Sequence, residues 1–424
     1  MNPRLSILAL LALLTVGPAR ADEADLAAPA AESGPSLRLY GFADFSYSRY
    51  VFDAGSYWDR AQLFPKNGAF SVGNLNLFLD GQLSERARSL IEIRFTYLPN
   101  GSGSQVESGS SQTRIGTLVG DYAAANTVAQ WGGIIIERAW AEYAFSDVFT
   151  LRAGQFLTPY GVWNVDHGSV ALIDVAPPYA ITQQMFPRTQ VGLEAYGSRY
   201  FGASRLGWHL TLSNGRMQST TDDHVGAVPQ YLDFDHRFGV GGRAFAELRG
   251  LGELRIGASF YAGRYTEAVT RTSEAGRNLD LVQQYDEVAF GADVRWTLGH
   301  FLLIGEVVVQ NVAFTDQGRT ALTAALGRDA PYPDYTASGG YLLAGYRLPW
   351  GEVMPFAMLQ RHSPNDQRKE QALIAATAGV NVRLLPGLVL KASVTKPIWT
   401  DAGPNDRPYS ESLLLANAQV AWAF

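Results

Sequence analysis

Strict alternation of apolar and polar residues recurs along this chain, and this is the pattern of strands whose two faces meet different solvents. At the end of the sequence Phe424, Trp422 and Val420 share one face, while Gln419 lies on the other. Each alternating segment is about as long as the ~9–11 residues that a tilted strand needs to cross a membrane. We count sixteen segments, at 37–50, 69–83, 87–98, 133–145, 149–158, 190–198, 204–214, 236–248, 253–265, 283–298, 301–312, 335–348, 353–362, 372–384, 388–396 and 411–424.

The connections between these segments alternate in length. Seven are short and rich in turn residues, such as 84–86 and 385–387, and the others are mostly long, such as 99–132 and 159–189. A soluble sandwich of sheets has no reason to differ at its two ends, whereas an outer-membrane barrel has short periplasmic turns and long external loops. We therefore predict an all-β fold, a transmembrane antiparallel β-barrel of about sixteen strands over residues 37–424, closed so that no strand edge meets lipid.

The first residues have the composition of a secretory signal peptide. Arg4 precedes an apolar run from Leu5 to Val16, and small residues at 19 and 21 stand before Asp22. Residues 1–21 are therefore predicted to be a cleaved signal peptide. Residues 22–36 are small, acidic and proline-bearing without a period, which predicts a disordered leader. We expect the protein in the outer membrane of a Gram-negative bacterium, in contact with its lipid bilayer.

The charge and residue usage exclude several classes of function. The net charge is −6 at pH 7, which disfavours nucleic acid as a partner. The chain has no cysteine, so thiolate metal sites and cysteine nucleophiles are excluded. We find no HExxH and no G-x-S-x-G, and we expect no cofactor and no enzyme.

Two other chemistries stay open. His209 alternates inward near Thr211 and Ser213, so that an outer-membrane hydrolase is conceivable. The acidic runs TDDH at 221–224 and DFDH at 233–236 could bind a divalent cation through oxygen ligands, although acidic loop residues are more often simply solvated.

The polar faces of the segments are expected to line a lumen. Many of their charges should pair across the wall, but so many cannot all be desolvated in a dry core. A barrel of sixteen strands also leaves an aqueous channel. We therefore predict a water-filled channel for passive diffusion of ions and small hydrophilic solutes. The candidate pore-lining residues on the strands are Arg38, Glu92, Arg94, Arg138, Glu142 and Arg152.

The third long connection, about 160–190, is the candidate for a loop that folds into the barrel. It contains enough apolar residues to pack against the inner wall, and it also carries Asp166 and Asp174. We expect Arg38, Arg94, Arg138 and Arg152 to face these two carboxylates across the narrowest point, so that a transverse field selects among solutes. The alternative is an external loop that packs on itself.

Several stretches resemble a known family. "LRAGQFLTPYG" (151–161), "LTLSNG" (210–215), "GGYLLAGYRLP" (339–349) and "PFAMLQRHSPN" (355–365) are similar to stretches of sixteen-stranded, typically trimeric porins, in particular the phosphate-selective porin family. The resemblance implies a homotrimer of separate pores, each constricted by its third loop. Phe424, Trp422 and Val420 likewise resemble the C-terminal signature that the barrel-assembly machinery recognises.

Two departures from that family limit what the resemblance implies about solutes. Its phosphate specialists line the pore with a ladder of lysines, and this chain has only Lys66, Lys369, Lys391 and Lys396. Where the family pattern would place an inward arginine, this chain has Met358. General solute passage is therefore the prediction, with an anion- or phosphate-selective channel as the alternative.

Overall fold

The computed structural model describes residues 35–61, 68–97, 131–165, 168–182, 185–221, 224–230, 237–273, 276–326, 334–406 and 409–424. The predicted signal peptide and nearly all of the predicted leader lie outside these ranges. The strands are β1 (Ser36–Phe52), β2 (Ala69–Gln82), β3 (Ala87–Tyr97), β4 (Trp131–Ser146), β5 (Phe149–Leu157), β6 (Thr189–Phe201), β7 (Ser204–Ser213), β8 (Arg216–Thr221), β9 (His224–Gln230), β10 (Gly239–Leu248), β11 (Glu253–Ser273), β12 (Gly276–Leu298), β13 (Phe301–Phe314), β14 (Tyr335–Tyr346), β15 (Val353–Ser363), β16 (Leu373–Leu385), β17 (Leu388–Trp399) and β18 (Leu413–Ala423).

Short helices lie in the connections between these strands. They are α1 (Tyr57–Ala61), α2 (Tyr179–Thr182), α3 (Asp316–Leu326) and a 3-10 turn (Lys369–Gln371). None of the helices in the described ranges is long and apolar enough to cross a bilayer.

All strands except β8 and β9 form one closed antiparallel barrel of sixteen strands. Each strand pairs with the next in the chain, β7 pairs with β10, and β1 pairs with both β2 and β18. The seam is closed at the terminal residue, because the N–H of Gly41 donates to the carbonyl of Phe424 at 2.8 Å and the N–H of Phe424 donates back at 3.0 Å. The predicted fold class is confirmed.

The two faces of the wall differ as the alternation predicts. Strand β15 shows this clearly, because Leu359 is 59% exposed on the outer surface while Met358 and Gln360 on either side are buried inside. Other outward side chains, such as Leu39 and Phe290, are also apolar and exposed. An exposed apolar band around a closed barrel is the surface that lipid covers.

Three boundaries differ from the sequence-based predictions. Strand β1 begins at Ser36, one residue before the first predicted segment, and continues to Phe52. The predicted loop over 266–282 is mostly strand, because β11 and β12 continue to Ser273 and from Gly276. The connection after β7 contains the hairpin β8–β9, whose first strand pairs in parallel with β11. A strand that projects beyond the apolar band needs no apolar face, so it carries no alternation to detect.

Candidate functional site: a loop inside the barrel

The β5–β6 loop, residues 158–188, lies against the inner wall and reaches across the interior. It is described except at 166–167 and 183–184. Near its start, the hydroxyl of Tyr160 lies 2.7 Å from Thr211 Oγ1 on β7. Further along, the N–H of Trp163 donates to Glu306 Oε1 on β13 at 2.8 Å. Because the contacts of the loop extend from β7 to Lys391 on β17, eight strands away in the barrel of sixteen, the loop crosses much of the lumen.

Apolar packing holds one side of the loop. Val162 and Trp163 are buried against the inner face of β13–β15, and the Trp163 ring lies 6.0 Å from the Tyr341 ring in an edge-on arrangement. Fully burying a large apolar side chain contributes ~1.5–3 kcal/mol. The other buried members of this cluster are Ile304, Leu343, Phe356 and Met358. The inner wall of β13–β15 therefore forms a small apolar core with the loop.

Glycines allow the loop and the wall to approach this closely. Gly161 has φ +72°, a left-handed conformation that favours glycine, and a Cβ there would collide with the Glu306 carboxylate. On β14, a Cβ added to Gly339 would lie 2.8 Å from Ala180 Cβ and 2.6 Å from Met185 Cε. Both positions therefore have a steric reason to lack a side chain.

Polar contacts anchor the middle of the loop to β16 and β17. Lys391 Nζ donates to the carbonyl of Asp174 at 3.3 Å and to Gln419 Oε1 at 2.9 Å, and Asn381 Nδ2 donates to the carbonyl of Ile173 at 3.0 Å. The carboxylate of Asp174 accepts from the N–H of Val175 at 2.7 Å and is only 1% exposed. Burial raises the pKa of Asp174 above its ordinary value.

The predicted pore-lining residues on β3–β5 pair with one another along the wall. Arg138 Nε lies 2.5 Å from Glu92 Oε2, and both side chains are buried. Arg152 bridges Glu142 and Glu194, at 2.9 Å to each carboxylate. These contacts of Arg138 and Arg152 are with carboxylates on neighbouring strands, and their predicted contact with the loop carboxylate Asp166 falls outside the described residues.

The remaining predicted residues have different environments. Arg38 pairs with Asp80 at 2.7 Å and is 46% exposed near the short-turn end of β1. Asp166 lies outside the described residues. The C-terminal residues Trp422 and Phe424 are exposed on the outer surface.

Arg94 contributes to a shared ion pair at the loop. Arg94 Nη1 lies 3.3 Å from Glu137 Oε2, and Arg188 Nη2, at the end of the loop, lies 2.6 Å from Glu137 Oε1. The sequence did not predict Glu137 as a lumen residue, because strict alternation along β4 would place its side chain on the lipid side. A β-bulge between the pairs Glu92–Arg138 and Ile93–Ile136 turns Glu137 inward beside Arg138.

A cavity of about 300 Å³ lies between the β5–β6 loop and the wall, next to this ion pair. Its polar residues include Arg94, Arg188, Asn74 and Gln419. The other side is largely apolar, with Trp163, Leu172, Val175, Ile181, Phe186 and Val308. The cavity therefore joins a cationic corner to an apolar surface.

The possible hydrolase residues do not form a catalytic arrangement. His209 Nδ1 lies 2.9 Å from Glu194 Oε1, and its ring stacks on Tyr196. Ser213 is four positions further along β7, which corresponds to roughly 13 Å along a strand, and its hydroxyl is 3.4 Å from the carbonyl of Gly239.

Metal binding has no support in the described ranges, where no group of histidine and acidic residues could hold an ion. The acidic run at 233–236 and the central residues of the run at 221–224 lie outside those ranges.

Comparisons with known proteins agree with this architecture. A family model described as phosphate-selective porin O and P matches residues 47–358, well over half of the chain. A search of curated proteins finds no match.

Solved structures resemble the fold at low sequence identity. OmpT of Vibrio cholerae has 8% identity and a TM-score of 0.55, over 93% of this chain and 99% of that one. OmpF of Salmonella typhi, solved with daunomycin, has 13% identity and a TM-score of 0.51 over 93% and 99%. The outer membrane channel DcaP of Acinetobacter baumannii has 8% identity and a TM-score of 0.50 over the same shares.

Proposed function

Because the chain belongs to the phosphate-selective porin O and P family and forms an outer-membrane porin channel, we propose that its passage runs beside the β5–β6 loop and prefers anions. The loop constricts the lumen, and its cavity is the narrow part that a solute passes. Selection then depends on cross-section and on fixed charge, without a conformational cycle.

The shared ion pair carries this proposal. Arg94 and Arg188 both contact the carboxylate of Glu137, whose side chain is only 5% exposed. Both arginines line the cavity, and the Arg188 side chain is 38% exposed. Fixed cations that are more exposed than the neighbouring carboxylates raise the local concentration of anions along a narrow aqueous path.

Glu306 is also anionic, but it is less exposed than the two arginines. It also lines the cavity, but its Oε1 already accepts hydrogen bonds from the N–H of Trp163 and from the hydroxyl of Tyr341, at 2.8 and 2.5 Å. Its carboxylate is almost fully buried among these donors. Arg94 and Arg188 are therefore the most exposed charged side chains among the described residues of this cavity.

Reversal potentials in planar bilayers test the proposal. Under a KCl gradient the purified full chain should prefer chloride, and Arg94→Gln should lower the chloride-to-potassium permeability ratio by about twofold or more at low salt. Arg347→Gln is the matched control, because Arg347 is exposed near the short-turn rim and, among the described residues, its ion pair is with Glu352 at 3.6 Å. An unchanged ratio in Arg94→Gln, or a preference for potassium in the parent protein, would refute the proposal.

The finer features of assembly are part of the same proposal. The protein is exported with cleavage after residue 21, as the signal-peptide pattern indicates. Phe424, Trp422 and Val420 present the assembly signal to the barrel-assembly machinery, and the barrels associate as a homotrimer of separate pores, as the resemblance to trimeric porins implies. No chemical step is included, since His209 and Ser213 engage other groups.

A further inference from the structure

We propose that the cavity beside the β5–β6 loop selects organic anions with one carboxylate on an apolar, ring-sized body, in preference to inorganic phosphate. This inference rests on the proposed passage through the same cavity. It concerns which class of anion the site favours, and it is carried by the chemistry of the lining.

The cationic corner suits a single carboxylate. Guanidinium groups bind carboxylates through a planar fork of N–H donors. Arg94 uses Nη1 for Glu137, while its Nε is buried and has no hydrogen-bond partner among the described residues. The exposed charged groups of this corner are the guanidinium groups of Arg94 and Arg188, which suit one carboxylate.

The polar groups beside the arginines already donate hydrogen bonds within the protein, so they have few N–H groups left for further oxygen atoms of a bound anion. Asn74 Nδ2 donates to Asp44 Oδ2 at 2.7 Å, and Gln419 Nε2 donates to Ser46 Oγ at 3.2 Å. Lys391, the only lysine close to these residues in the described ranges, donates to Gln419 and to loop carbonyls. A phosphate ion has four oxygens to satisfy, and those turned away from the arginines would meet apolar side chains.

The apolar side of the cavity favours anions that carry an apolar organic group over anions that do not. The rings of Trp163 and Phe186 and the aliphatic side chains of Leu172, Ile181 and Val308 line it. Each methylene that leaves water there raises affinity by about fourfold. A volume of about 300 Å³ is at the small end of ligand cavities and accommodates one ring with its carboxylate.

Block of the KCl current by added anions tests the inference on the purified full chain in planar bilayers. Benzoate should reduce the current at a concentration about tenfold lower than acetate or inorganic phosphate does, because only benzoate uses both sides of the cavity. Cyclohexanecarboxylate should resemble benzoate.

Two variants separate the two sides of the cavity. Arg94→Gln should weaken block by benzoate and acetate alike. Val308→Thr, a change of nearly equal shape on β13, should weaken block by benzoate several-fold and leave acetate unchanged. KCl conductance in each variant reports an intact barrel.

The outcomes distinguish this inference from the function that it rests on. Equal block by phosphate and benzoate, or benzoate block that neither variant changes, would overturn the inference while a chloride preference in the KCl gradient would still stand. Loss of the chloride preference itself would refute the proposed function.

Discussion

The backbone N–H of Trp163 donates a 2.8 Å hydrogen bond to Glu306 Oε1, so that the loop inside the barrel is tied to a buried carboxylate of the wall. The hydroxyl of Tyr341 donates to the same oxygen at 2.5 Å. Hydrogen bonds to a charged acceptor contribute about 1.5–3 kcal/mol each.

Glu306→Gln should therefore loosen the loop. The amide retains one acceptor but loses the charge that strengthens both bonds, so we expect a lower Tm in detergent and a larger, noisier single-channel current. Glu287→Gln is the control, because Glu287 is equally buried but contacts Arg216 and Gln310 away from the loop. It should lower Tm without changing the current, and equal currents in the two variants would exclude a tethering role for Glu306.

Gly339→Ala should displace the loop by steric overlap. Its new Cβ would lie 2.8 Å from Ala180 Cβ, a distance that real Cβ contacts do not show. We expect altered single-channel conductance and a loss of about 1–3 kcal/mol in stability from overpacking. The 2.6 Å overlap with Met185 Cε can be relieved by rotation of that flexible side chain, so adding Ala180→Gly, which removes the fixed methyl group, should restore most of the parent conductance. Gly305→Ala, where the nearest atom is the flexible end of Leu342 at 3.0 Å on the outer surface, should have little effect.

Acidification should strengthen docking of the β5–β6 loop through Asp174. Burial raises the pKa of Asp174 in the docked loop, so the docked state binds its proton more tightly than the free loop does. The free energy of docking is therefore most favourable below the ordinary aspartate pKa of about 3.9. It becomes less favourable as pH rises through the raised pKa of Asp174 in the docked loop, and it no longer changes above that pKa.

Current noise recorded from about pH 7 down to about pH 4 measures this effect, which should appear as a quieter channel at low pH. In Asp174→Asn the noise should be low throughout and independent of pH. Asp401→Asn, in an exposed loop, should keep the parent profile. A parent channel that becomes noisier on acidification would contradict the sign of the argument.

His362→Leu should stabilise the barrel. His362 is buried on the inner face of β15, and neither ring nitrogen has a hydrogen-bond partner in the described structure. An unsatisfied buried polar group costs about 1–3 kcal/mol, which a similarly sized apolar residue avoids. His209→Leu should have the opposite effect, because it breaks the 2.9 Å contact with Glu194. Thermal unfolding in detergent measures both changes, and a fall in Tm for His362→Leu would contradict this account.

The barrel was predictable because lipid and lumen impose opposite requirements on neighbouring residues. Leu359 and Met358 illustrate the limit of that rule, since one faces outward and the other inward although both are apolar. The inner face of β13–β15 packs on the loop, so part of the lumen behaves as an ordinary hydrophobic core. Alternation cannot show which wall segments a loop will cover.

The ion pairs were harder to predict than the strands. A single bulge turns Glu137 inward, which gives Arg94 and Arg188 their common partner and changes the charge of the cavity. Arg152, in contrast, faces inward as predicted, but its partners are Glu142 and Glu194 on adjacent strands. Register shifts of one residue and the choice among several carboxylates both depend on tertiary geometry.

The backbone bonds between Gly41 and Phe424 connect positions that are nearly the whole chain apart, whereas most other ladders join consecutive strands. Among the described strand pairings, this contact therefore has the largest entropic cost of loop closure. Without this pairing the sheet is open and β1 and β18 are unpaired edge strands. The backbone N–H and C=O groups of such edges cannot remain without hydrogen bonds in hydrocarbon. The seam must consequently close before or during insertion, or another protein must pair with β1 and β18 while the sheet enters the membrane.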